Sequence, residues 1–128
     1  DLAAARSAAR RRSELDLLRL KSAHQTMLDL KGPDDRGRAE ANRVFHEAIW
    51  SASHSPTLFD LLERLNTHLI RYPTTTLAYA DRWSAVLEEH GALVAAIEAQ
   101  DADEAGRIAE HHMSGARDVR LRMYGASA

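Results

Sequence analysis

An all-α fold, an antiparallel bundle of about five to six helices, is what this 128-residue sequence predicts. Three observations carry that expectation. Ala, Leu and Arg dominate, all good helix formers, while aromatic residues make up only 5% and β-branched residues are sparse. Apolar residues recur at helical spacing in segment after segment. Turn and capping residues cut that pattern into helix-length pieces with short connections, the mark of antiparallel neighbours.

The elements follow in order. LAAARSAARRR is Ala/Arg-rich and reads as the end of a helix. Ser13, with Asp16 three residues on, looks like an N-cap and first-turn acid opening SELDLLRLKSAHQTMLDLK, where Leu17, Leu20, His24, Met27 and Leu28 share a face. KGPDDRG is a turn, and a further helix runs from about Arg38 to Ser53. Ser55-Pro56 restarts the chain as a cap followed by proline at the first helical position. Leu58, Leu61, Leu62, Leu65 and Leu69 then form an apolar stripe reaching to about Tyr72. RYPTTT breaks the pattern. A long helix follows from about Leu77 to Ala99, with Trp83, Val86, Leu87, Val94 and Ile97 as its buried stripe. Asp101 and Glu104 resemble a capping box at the start of the last helix, which continues to about Tyr124.

The length fits one domain spanning residues 1–128, with enough chain to bury a core unaided. There is no cysteine, which excludes disulfides and thiolate metal sites. The net charge of −2 gives no overall attraction to nucleic acid. No apolar run approaches the ~20 residues of a membrane span, so a cytoplasmic location and no membrane partner are expected. The chain enters helical sequence directly after Asp1, without a methionine, and reads as part of a longer protein.

The informative residues are polar ones on apolar faces. In NRVFHEAI, Asn42 and His46 lie one turn apart on the face shared with Phe45 and Ile49. His90 lies four residues from both Val86 and Val94, and His112 four from both Ile108 and Ala116. His111 is rotated about 100° from His112, toward solvent. Three helices therefore each turn one histidine inward, where an unpaired imidazole costs free energy. Two explanations stay open on spacing alone. Each ring is satisfied by its own neighbours, or one divalent cation satisfies all three, in the way helical bundles build metal sites from facing helices.

These residues carry a family resemblance. NRVFHEAIWSASHSPTLFDLLERL resembles the acid-x-x-Phe-His segment and Asn-Pro-x-Leu restart of the C-terminal effector-binding (FCD) domain of FadR-type regulators in the GntR transcription-factor family. RWSAVLEEHGALVAAIEAQDADEAGRIAEHHM is similar to the same family's Glu-His-x-x-Ile and Asp…Ala…His segment. The similarity runs from about residue 3 to 124. It implies a ligand-sensing, dimerising domain, not an enzyme. It also implies a divalent metal ion (zinc first, with nickel or manganese as alternatives) held by Asn42, His46, His90 and His112. A small carboxylate effector would take the open coordination positions, and DNA would be bound only through an N-terminal winged helix-turn-helix that this chain lacks. The sequence departs from the family at Asn42, where many metal-binding members carry aspartate. A neutral amide is a weaker donor than carboxylate, and it leaves the cation's charge uncompensated.

Other residues weigh less. Arg71 and His68 are expected effector contacts. His54 reads as a solvated loop residue, His24 as a packed core histidine, and Arg10-Arg11-Arg12 as a solvated helix end. Trp50 and Trp83 read as core or pocket-wall residues. One rival function is a metal-dependent hydrolase or isomerase. Against it, Glu47 and Glu89 are each displaced by about 100° from the adjacent histidine, so no inward general base is expected. The other rival is a metal-free helical dimerisation module.

Overall fold

The capping and periodicity signals become six helices in a computed structural model that describes residues 2–32, 34–69 and 82–127. They are α1 (Leu2–Arg11), α2 (Glu14–Asp29), α3 (Asp35–Ala52), α4 (Pro56–Leu69), α5 (Arg82–Glu98) and α6 (Ala102–Ser127). No strand occurs among the described residues, and none of their helices is long and apolar enough to cross a membrane.

Local chemistry sets the boundaries. The Ser13 side chain accepts from the Asp16 amide at 3.0 Å while the Ser13 amide donates to Asp16 Oδ2 at 2.8 Å, a complete capping box that starts α2. The Leu58 amide donates to Ser55 Oγ at 3.3 Å at the head of α4, and the Glu104 amide to Asp101 Oδ1 at 3.1 Å at the head of α6. α5 ends in a Schellman arrangement, with Asp101 N–H donating to the Ala96 carbonyl and Gln100 N–H to that of Ile97. Its left-handed position is occupied by Gln100, at φ 57°, where glycine is the usual residue.

α1 is a core helix. Ala4, Ala5, Ala8 and Ala9 form a stripe of methyl groups, all essentially inaccessible, in one apolar cluster with Ala105, Ile108 and Ala109 of α6. Small side chains let α1 and α6 approach closely, and α1 also packs on α3 and α5. α5 in turn touches α1, α2 and α6, so its buried surface is wider than one stripe: Arg82, Trp83, Val86, His90, Leu93, Val94, Ala96 and Ile97. α4 packs mainly on α3. The leucine stripe expected there is therefore only half used. Leu58 and Leu62 pack against the core, while Leu61 and Leu65 are exposed. Leu28, assigned by spacing to the inner face of α2, is exposed too, whereas Leu17, Leu20 and Met27 are buried.

Candidate metal centre

The core of the bundle brings together one histidine from each of three helices. Phe45 anchors the arrangement: fully buried, it stacks on His90 with ring centroids 4.0 Å apart and an interplanar angle of 7°, and meets His46 edge-on at 5.7 Å. His46 of α3, His90 of α5 and His112 of α6 then face one another, with centroids separated by 5.1 Å (His46–His90), 4.9 Å (His90–His112) and 5.7 Å (His46–His112). One ring nitrogen from each lies within 4.8 Å of the other two. That spacing suits three ligands around a single ion.

Two buried atoms able to ligate a cation have no hydrogen-bond partner here among the described residues. One is His90 Nε2, on a ring with no accessible surface, and the other is Asn42 Oδ1, one turn before His46 on α3. The other nitrogen of His90 faces only the Met27 sulfur, at 3.3 Å, a weak partner. Buried, unsatisfied acceptors are costly and uncommon, and a bound cation satisfies both types. The electrostatics agree. Burial lowers the pKa of His46 to about 4. Burial, reinforced by the neighbouring histidines, pushes His90 lower still. His112 is also lowered by burial, partly opposed by its bond to Glu89. All three rings are thus neutral near pH 7, the form that ligates metal.

Glu89 corrects the expectation drawn from spacing. Although about 100° around α5 from His90, it is not turned away from the ligands. Its side chain is only 13% exposed and Oε1 lies 2.6 Å from His112 Nδ1. α5 buries two faces, and the one bearing Glu89 looks onto α6. Arg82, unremarked in the sequence, completes the group. Its guanidinium, 5% exposed, pairs with Glu89 at 3.1 Å and donates to the His112 carbonyl at 3.1 Å. The Arg82–Glu89 spacing of seven residues, two turns on one helix face, was the available signal.

The remaining candidates separate. Arg71 lies outside the described residues, as does the side chain of His68 on α4. His24 is a packed histidine, its Nε2 donating to the Leu87 carbonyl at 3.2 Å. His111 is exposed, as expected. His54 is half exposed but not merely solvated, since Nε2 donates to Asp16 Oδ2 at 2.6 Å. Of the arginine run, Arg10 and Arg11 are exposed. Arg12 instead caps α5, reaching the carbonyls of Ile97 and Glu98 at 3.3 and 2.6 Å. Trp50 and Trp83 are both buried. A groove of about 410 Å³ on the outer face of α2 and α3, lined in part by Arg19, Thr26, Val44 and Glu47, includes none of Asn42, His46, His90 or His112.

No curated protein matches this sequence. The FCD-domain family model matches residues 1–115, most of the chain. The histidine-bearing helical bundle therefore belongs to the FCD family, the C-terminal effector-binding domains of GntR-family transcription regulators.

Proposed function

We propose that this ligand-sensing domain, of the FadR type, detects a small organic acid through a divalent metal ion held by Asn42, His46, His90 and His112. The observation that carries the proposal is the convergence of three neutral histidines, with ring nitrogens within 4.8 Å, beside Asn42 Oδ1 and His90 Nε2, which have no hydrogen-bond partner among the described residues. Zinc fits a nitrogen-rich set best, with nickel or manganese as alternatives. Bound there, the ion supplies a doubly positive centre with coordination positions open to a carboxylate.

The chain's own residues determine the sign of the effector. His46, His90 and His112 are neutral, and Asn42 brings no charge where many relatives have aspartate. Glu89 is balanced by Arg82. The protein therefore leaves the positive charge for an anion to neutralise, which favours a carboxylate, and a dicarboxylate more strongly. The hydrolase alternative needs a carboxylate free to accept a proton from water, and Glu89 is committed to His112 and Arg82.

The ligand-bearing helices also supply the output. α1 packs on both α3 and α6, so a shift of those two helices around an effector moves α1. We infer that this motion changes the geometry of a homodimer, and through it the DNA affinity of an N-terminal winged helix-turn-helix in the intact cytoplasmic regulator. Such a change requires that the effector bind the two shapes with different affinity. The test is calorimetric titration of Zn²⁺ and then of mono- and dicarboxylates, with elemental analysis, into wild type and Asn42→Asp. Stoichiometric metal, with carboxylate binding weakened in Asn42→Asp, is expected. No uptake of Zn²⁺ or Ni²⁺, or tighter carboxylate binding by the aspartate variant, would overturn the proposal.

A further inference from the structure

We propose that Glu89 is a positioning residue for His112, fixing the ring as the Nδ1–H tautomer so that Nε2 is the nitrogen offered to the cation; this rests on the metal reading above. Glu89 Oε1 lies 2.6 Å from His112 Nδ1. An ionised carboxylate offers only lone pairs. At that distance an unprotonated Nδ1 would set lone pair against lone pair, so the proton belongs on Nδ1. Arg82 Nη2 is also 3.3 Å from Nδ1. With Nδ1 protonated both are donors, and Arg82 gives its hydrogens to Glu89 and to the His112 carbonyl instead.

The arrangement is a clamp with three anchors. Arg82 and Glu89 both stand on α5, two turns apart, and together grip the ring and the backbone of residue 112 on α6. A carboxylate accepting from the far nitrogen of a ligating histidine fixes its orientation and raises its basicity. Here it also places the site's negative charge behind a ligand rather than against the ion, where Arg82 balances it. The charge facing an incoming anion is left undiminished, while His112 gains donor strength that the neutral Asn42 does not provide.

The test has a metal-free and a metal-bound arm. In the metal-free 128-residue chain, long-range ¹H–¹⁵N NMR of the His112 ring should show Nδ1 protonated and Nε2 bare in wild type. Glu89→Gln, nearly isosteric, should populate both tautomers while keeping its helical circular dichroism. In chelator competition, Glu89→Gln should bind Zn²⁺ about 10–100-fold more weakly than wild type. A wild-type His112 protonated on Nε2 overturns the inference even if the variant does not fold, and so does unchanged zinc affinity in a folded Glu89→Gln. Wild type with the expected tautomer but no affinity for Zn²⁺ or Ni²⁺ refutes the metal reading itself, and the role of Glu89 with it.

Discussion

Acidifying the metal-free protein should begin to destabilise it above the range in which its carboxylates titrate. His46 has a pKa of about 4 in the fold against 6.5 unfolded. Between those values the unfolded chain holds a proton on this ring that the folded chain does not. Stability therefore rises with pH through the window and falls as pH drops from 6.5 toward 4. His46 contributes about 3 kcal/mol over the full window. That figure is an upper limit, because the side chain is partly, not wholly, buried. His90 and His112, also depressed by burial, act in the same direction. Asp16, whose pKa is lowered despite the opposing effect of burial by its bonds to Ser13 and His54, titrates below this window. The interval from pH 6.5 to 4.5 thus reports on histidine. Against a typical domain stability of about 5–15 kcal/mol, the combined loss is large. Urea unfolding followed by circular dichroism, in chelator, should give a midpoint that falls steeply between pH 7 and 5, and His46→Gln should flatten the slope. A stability constant to within about 0.5 kcal/mol over that range would mean that the rings are not held neutral in the core, and would refute the electrostatic account of the site.

Three further outcomes are expected. Phe45→Ala removes a fully buried ring stacked on His90 and should cost about 3–5 kcal/mol by denaturant titration; a loss under about 1 kcal/mol would show that the ring is not a core anchor. Arg12→Ala removes the cap on the Ile97 and Glu98 carbonyls and should cost about 1–2 kcal/mol in thermal unfolding. Glu14→Ala, which deletes only the exposed partner of the same guanidinium, should stay within about 0.5 kcal/mol of wild type. Gln100→Gly relieves a left-handed backbone at φ 57° and should raise stability by about 1 kcal/mol, read as an increase in Tm.

Helix type, order and most boundaries were legible because they rest on local chemistry. Ser13, Ser55 and Asp101 each act within one turn of chain, accepting from the amides of Asp16, Leu58 and Glu104 respectively. The inward turn of His46, His90 and His112 was legible for the same reason, since a residue's helix face follows from a period of about 3.6. Periodicity gives a direction in one helix, however, and says nothing of what stands opposite. Leu61 and Leu65 carry the same pattern as Leu58 and Leu62, but among the described residues α4 packs mainly on α3, and Leu61 and Leu65 stay exposed.

The sequence by itself determined an all-helical chain and the three histidines that would have to meet if they shared a function. Only the tertiary structure decided that they do meet, within 4.8 Å of one another, and what stands behind them. Glu89 is the clearest case. On its own helix it points away from His90, yet α5 is buried on two sides, and the second side sets Glu89 against His112 and Arg82. Bonds within a helix turn are written in neighbouring residues. Bonds between helices depend on how whole faces pack, and that is decided only when all the helices are in place.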